Sequence, residues 1–377
     1  MKLLRPETEA DLAETVSAAT GPLCIQGGGT RPIGVPVEGT PLSTSRMTGI
    51  TLYEPGALTM VARAGTPLAE IEAALAAEGQ RLAFEPMDHR GLLGTQGTPT
   101  IGGVFAANVS GPRRIQCGAA RDFLLGVRFV DGRGAVIRNG GRVMKNVTGY
   151  DLVKLMAGSF GTLGVLTELS FKVLPATPVT GVLLCEGLPD ETAIAALCRA
   201  LGSPFEVTGA AHLQRGTDGA PVTMIRLEGT QASVAYRAGE VKSRLERFGA
   251  FTLEIDPDRT AAGWRHVRDV VPFQDREGDV WRLSVKPTDA PAIVARSGAE
   301  EAVYDWGGGL VWLLAPRAEQ VRQAVAEKGG HATRMRGDST GGAFQPPAPP
   351  VAALQEGLRR RFDPKGILNP GLMGQAA

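Results

Sequence analysis

Three glycine-rich runs in the first half of the chain carry the residue types that could do chemistry. They are Gly27-Gly28-Gly29-Thr30, with Arg31 behind it; Thr100-Ile101-Gly102-Gly103, followed by Asn108-Val109-Ser110-Gly111-Pro112; and Gly158-Ser159-Phe160-Gly161-Thr162-Leu163-Gly164, running into Val165. Successive glycines present main-chain N–H groups without a Cβ in the way, the arrangement that lets backbone wrap a phosphate, and the Thr30 hydroxyl adds a donor. One such run is equally an ordinary tight turn. Three of them between residues 27 and 164 point instead to loops gripping an extended ligand. The first run fails the G-x-G-x-x-G pattern because Pro32 stands where the third glycine belongs, and the third run leads into a strand pattern rather than a helix, so a Rossmann fold is not supported.

The rest of the composition narrows the chemistry. At 377 residues the chain is long enough for two domains with real cores. Lys plus Arg number 40 against 39 Asp plus Glu, which removes any general argument for a nucleic acid or an acidic membrane as partner. No apolar run reaches membrane-spanning length, and Lys2, Arg5, Glu7, Glu9 and Asp11 break the start, so neither a transmembrane helix nor a signal peptide is expected. Cys24, Cys117, Cys185 and Cys198 form no C-x-x-C pair, which excludes a zinc ribbon or a ferredoxin-type cluster; multi-electron chemistry would need an organic cofactor or another chain. The four histidines, His89, His212, His266 and His331, show no ligand spacing, and no metal is expected.

The elements that would position the runs read as follows. Thr8 caps a helix to Ala19, with Asp11 three residues on; Leu23-Cys24-Ile25 is a short strand into the first glycine run; a second helix runs from Thr66-Pro67 to Gly79. Residues 80–120 read as one long ligand-wrapping loop. Leu124 to Val130 and Ala135 to Arg138 flank the turn Asp131-Gly132-Arg133-Gly134, and an alternating strand from Val165 ends at Pro175, where a boundary is expected. Beyond it, helices near Glu191 to Leu201 and Val234 to Phe248, with strands near Val222 to Leu227 and Val311 to Leu314, suggest an α+β module. The proline-rich stretch 345–350 leads to a helix over Val351 to Arg361 and an apolar tail that should dock on the body.

The glycine runs, together with Arg121 to Gly126, Lys145 to Leu152, the stretch Ser110-Gly111-Pro112-Arg113-Arg114, and the tail Arg361 to Gly371, resemble the FAD-binding E subunit of bacterial glycolate oxidase, within the vanillyl-alcohol oxidase (PCMH-type) superfamily. The resemblance implies an α+β, two-subdomain FAD-binding domain over residues 1–175, an α+β cap over 176–344, and a connector, helix and tail over 345–377. It further implies that Gly27, Gly28, Gly29, Thr30, Arg31, Thr100, Gly102, Gly103, Asn108, Gly111, Gly158, Gly161, Gly164 and Val165 bind FAD, the first two loops gripping the pyrophosphate. The substitutions Gly28→Val and Gly102→Val should then intrude where a phosphate approaches and release the cofactor. His89 and Cys117 lie in no tethering motif, so the FAD is expected to be non-covalent.

Hydride transfer from a 2-hydroxy acid needs a base for the hydroxyl proton and a cation for the carboxylate. In the cap, His331 with Arg334 and Arg336 is the expected set; Lys145 and Tyr150 read as structural or flavin-adjacent, and Trp306 and Trp312 as exposed apolar contributors to a partner surface. The resemblance implies a cytoplasmic subunit working beside a catalytic flavoprotein subunit and an iron–sulfur subunit, peripheral to the inner face of the membrane through them. Two alternatives stay open: a self-sufficient FAD-dependent D-2-hydroxy-acid dehydrogenase, and a non-catalytic assembly subunit that retains the fold.

Overall fold

The computed structural model describes residues 2–142, 149–315, 318–337 and 342–374. Lys145 therefore lies outside the described residues. The first helix, Glu9–Ala18, starts as expected: the Thr8 hydroxyl accepts from the Asp11 N–H while the Asp11 carboxylate accepts from the Thr8 N–H, and Leu12 and Val16 face inward. Strands β1 (Leu23–Gln26) and β2 (Thr40–Ser43) pair in parallel. β3 (Ile50–Glu54) and β4 (Thr59–Arg63) form a hairpin, followed by the helix Leu68–Ala77 and the short β5 (Gln80–Arg81). β6 (Leu124–Val130) and β7 (Val136–Gly140) make the expected hairpin, whose turn is held by the buried Asp131 carboxylate accepting from Arg133 N and Ala135 N, both at 2.9 Å. After β8 (Val165–Lys172) and β9 (Leu174–Pro175), the first body is complete as a five-stranded antiparallel sheet ordered β3-β4-β8-β6-β7, with β5 and β9 paired beside it.

Residues 80–120 are not one loop. They hold four short helices, Arg90–Leu93, Ile101–Ala106, Arg114–Cys117 and Ala120–Phe123. Their glycine and threonine content hides a buried stripe: Ile101, Val104 and Phe105 are sealed, and Phe105 packs on Phe84 and Phe171 with ring centroids 5.5 Å apart in each pair.

After Pro175 the chain enters an eight-stranded sheet built from β10 (Val179–Glu186), β11 (Gly209–Leu213), β12 (Val222–Gly229), β13 (Thr252–Glu254), β14 (Val280–Ser284), β15 (Glu301–Asp305), β16 (Leu310–Leu314) and β17 (His331–Arg336), in the order β13-β10-β12-β11-β15-β16-β14-β17. Strands β11, β15 and β16 are buried along their whole length, so they carry no alternation for sequence reasoning to find. Trp306 and Trp312 are buried as well, at 5% and 4% exposure, which corrects the expectation that they face a partner. Helix Pro349–Phe362 then returns the chain to the first body. There the tail docks as expected: Leu23 N donates to Ile367 O at 2.7 Å and Asn369 N to Leu23 O at 3.1 Å, so the tail extends β1 as a third strand-like neighbour.

Candidate functional site

A groove of about 360 Å³ opens where β1 ends, lined by Cys24 to Val37, by Thr100, Gly102 and Gly103, by Phe160, Gly161 and Gly164 to Leu166, and by the tail residues Asn369 and Leu372. It unites all three glycine runs. Its first wall is the loop after Gln26, anchored by the Ser43 hydroxyl donating to Gly27 O at 2.8 Å. A Cβ built on Gly28 would lie 1.6 Å from Thr98 O, one on Gly97 1.8 Å from Gly28 O, and one on Gly27 2.5 Å from the Thr100 hydroxyl. Gly28 and Gly97 are demanded by the contact between two stretches of backbone, and Gly27 by the Thr100 side chain. The expectation that Gly28→Val or Gly102→Val would intrude on a phosphate is corrected accordingly: a side chain at Gly28 points into Thr98, and one at Gly102 into Ala64 O at 2.6 Å.

Among the described residues, the N–H groups of Gly27 to Arg31 find no acceptor, whereas those opposite are spent. Ile101 N donates to Thr66 O (3.0 Å), Gly102 N to Ala64 O (2.8 Å) and Gly103 N to the Thr100 hydroxyl (3.3 Å). Donors for an anion are thus concentrated in the first loop, and Thr100 to Gly103 offers a smooth glycine face rather than a grip. The third wall is tied to β1 by Asn369, a residue with a left-handed φ of 45°, whose side chain accepts from Ile25 N (2.7 Å) and donates to Ile25 O (3.3 Å) and Phe160 O (2.9 Å). Asn369 was missed as a site residue because its partners are more than 200 positions away.

Of the residues expected to bind the cofactor, Gly27 to Arg31, Thr100, Gly102, Gly103, Gly161, Gly164 and Val165 line the groove; Asn108, Gly111 and Gly158 do not. Asn108 caps Arg121 N at 3.0 Å, Gly158 N donates to Phe105 O at 3.1 Å, and a Cβ on Gly111 would meet Glu85 O at 2.2 Å.

Arg31 leads from the groove inward, its Nε–H donating to His89 Nδ1 at 3.2 Å. Burial, followed by the Arg31 charge, lowers the His89 pKa to about 3, so the ring is neutral. Cys117, the other residue weighed for a covalent link, is pushed up to about 11 by burial, with its thiol against Ala83 O at 3.3 Å. Deeper still, Arg81, Arg113 and Arg226 surround Glu85 and Glu228: Arg113 bridges both carboxylates at 2.6 and 2.7 Å, Arg226 reaches Glu85 at 2.8 Å, and Arg81 reaches Glu228 at 2.7 Å. Burial opposes ionisation of both carboxylates, but the guanidiniums outweigh it and hold their pKa values down. This network joins the first body to β12.

The expected catalytic trio is not assembled. His331 is exposed at one end of β17, and Arg336 sits five residues on, about 16 Å away along a strand. Arg334 is buried against Trp281, with its guanidinium 3.6 Å from Asp279. Arg336 donates to the carbonyls of Leu92, Phe273, Gly278 and Arg276, pinning the end of β17 to the first body. Tyr150 is 88% exposed.

The groove, with its unspent run of glycine amides, lies in an FAD-binding domain of the vanillyl-alcohol oxidase type, and the chain is an FAD-linked oxidoreductase. The family described as FAD binding domain matches residues 2–140. Alkyldihydroxyacetonephosphate synthase shares the fold, with a TM-score of 0.72 over 98% of this chain and 76% of that one at 17% identity. Glycolate oxidase subunit GlcE of Escherichia coli (strain K12) is 38% identical over 93% of this chain and 92% of its own length. The chain belongs to the GlcE family of glycolate oxidase subunits. More distant relatives include D-lactate dehydrogenase of Archaeoglobus fulgidus, 35% identical over 41% of this chain and 33% of that one, and mitochondrial D-2-hydroxyglutarate dehydrogenase of Rattus norvegicus, 25% identical over 98% and 77%. The cofactor is FAD, and the groove suits it: free backbone donors for the pyrophosphate on one wall, and a glycine face on the other that leaves room for close approach.

Proposed function

We propose that this chain is the FAD-carrying subunit of a multi-subunit glycolate oxidase that converts glycolate to glyoxylate and passes electrons to an iron–sulfur partner subunit, beside a catalytic flavoprotein subunit. The match to GlcE along nearly the whole of both chains carries this reading. In it, the Gly27 to Arg31 amides hold the pyrophosphate of a non-covalent FAD. Thr100 to Gly103 and Phe160 to Val165 form the walls, and Asn369 keeps the third wall closed on β1. FAD supplies a hydride acceptor that can return electrons singly to a cluster. Onward transfer to a cluster would need another chain, because the four scattered cysteines show no ferredoxin-type spacing. Among the described residues no helix is long and apolar enough to cross a membrane, so a cytoplasmic place, with any membrane contact made through partners, fits the reading.

The likeness to D-lactate and D-2-hydroxyglutarate dehydrogenases favours a second reading, in which the isolated chain oxidises a 2-hydroxy acid by itself. One experiment separates them: the visible spectrum of the purified chain before and after anaerobic addition of glycolate. The subunit reading expects flavin bands that persist in the isolated chain and bleach in the assembled complex. Bleaching of the isolated chain would replace it with the second reading. A complex that turns over at full rate with FAD absent from this chain would reduce the chain to an assembly role.

A further inference from the structure

The last helix, Pro349–Phe362, turns its apolar side away from the body of the protein. None of its 14 residues is buried. Val351 is 47% exposed, Leu354 70% and Leu358 37%, and their spacing of i, i+3 and i+7 puts the three on one stripe. The less exposed positions Ala352, Glu356 and Arg359 lie about 130° around the helix from that stripe, at 3.6 residues per turn. A surface helix ordinarily sets its apolar stripe on its own core. Here a small residue and two charged ones take the inner side, and the stripe meets solvent.

The helix is anchored at its C-terminal end. The Phe362 ring lies 6.1 Å from that of Phe129, Phe362 O accepts from Gly132 N at 2.8 Å, and the Lys365 ammonium just beyond donates to Ser17 O at 2.7 Å. At the other end the N-cap residue, Ala348, makes no side-chain bond. A helix of this length is marginal in water unless one face packs on something. Its own core does not supply that face.

Charge selects what does. Arg361 is exposed three residues after Leu358 and seven after Leu354, on the flank of the stripe, and among the described residues it has no carboxylate partner. The one acid of the helix, Glu356, lies on the other side and pairs with Arg360 at 2.9 Å. A second copy of the chain would be a poor match in either orientation. Parallel stripes set Arg361 against Arg361; antiparallel stripes set it against the helix N-terminus, which is itself partly positive and where residues 345–351 hold no acid. Three apolar side chains are also too few for a flat interface, which takes about 20–30 residues a side, and suit anchors seated in a groove.

We propose that the 349–362 helix docks into an apolar groove on another subunit of the oxidase, with Val351, Leu354 and Leu358 as anchors and a carboxylate at the groove's rim receiving Arg361. This rests on the reading of the chain as one subunit of a complex, and it names the element that joins it.

The test coexpresses the tagged full chain with the flavoprotein and iron–sulfur subunits and measures, by size exclusion, the share of the chain that elutes in the complex. Leu354→Glu should lower the ratio of assembled to free chain at least ten-fold and Arg361→Glu by less, while Ala353→Glu, an added charge off the stripe, leaves it unchanged. FAD content and thermal midpoint of the isolated variants should match the wild type. Val351→Asn replaces Leu354→Glu if the latter does not fold. Assembly of these stripe variants at the wild-type level overturns the proposal while leaving the complex reading intact, whereas a wild type that joins neither subunit ends both. A stripe-dependent dimer of the isolated chain would give the face to a second copy, and stripe-dependent flotation with phosphatidylcholine–phosphatidylglycerol vesicles would give it to a membrane; either overturns the proposal.

Discussion

The groove and the boundary with the cap sheet are built by opposite means. In the groove the working parts are backbone: Gly27 to Arg31 offer N–H groups, and the neighbouring glycines exist because Thr98 O and Ala64 O come too close for a Cβ. At the boundary they are side chains, with Arg81, Glu85, Arg113, Arg226, Glu228 and Asp305 converging from strands and loops up to 224 residues apart. A backbone site is brittle, because any side chain breaks it. A side-chain site is held by compensation, so its failures show first in stability and in pH response.

The sharpest way to break this contrast is Gly28→Ala. With the new Cβ 1.6 Å from Thr98 O, the two loops must part, and the desalted protein should retain FAD at least about ten-fold less well, a cost of roughly 1.4 kcal/mol or more in binding. A full flavin complement in that variant would mean the first loop does not hold the cofactor. Glu228→Gln should act the other way. Its side chain is 1% exposed and faces Arg81, Arg113 and Arg226, so removing the charge should cost on the order of 3–5 kcal/mol of stability in urea unfolding, while the flavin spectrum of the folded protein stays unchanged.

Asp305 sharpens the comparison through pH. Burial raises its pKa to about 7 from an ordinary 3.8, so between those values the folded chain keeps a proton that the unfolded chain has released. The stability it contributes is therefore present below pH 3.8 and lost as pH rises through 7. Asp305→Asn, which can still accept from Trp306 N, escapes that loss; its thermal midpoint should gain on the wild type as pH rises from 4 to 7 and hold the gain above. Parallel profiles would show that Asp305 is not a buried acid. The smallest effect belongs to His331→Ala. At an exposed strand end it should change stability by less than about 0.5 kcal/mol and leave FAD content and turnover in the complex unaltered. A loss of turnover would restore His331 to the catalytic role its neighbours in sequence suggested.

Much of the first body was legible because its demands are local. The Thr8 cap, the Asp131 turn and the alternating β8 each depend on residues within a few positions, and each forms as read. The short helices of residues 80–120 were hidden by a composition that also suits loops. His331, Arg334 and Arg336 looked like a set because they are close in sequence, but a strand spreads neighbours apart and turns them to different partners. Asp305 carried no local signal at all.

The sequence by itself determined that glycine loops and an apolar tail build the first body, and that an extended cofactor belongs there, since a forbidden Cβ leaves its mark on residue type wherever backbones meet. Only the tertiary structure decided which loop keeps free donors, where Asn369 closes the groove, and which charges meet across the two sheets. Hydrogen-bond accounting and ion pairing depend on distances between segments far apart in the chain, and no local pattern encodes those distances.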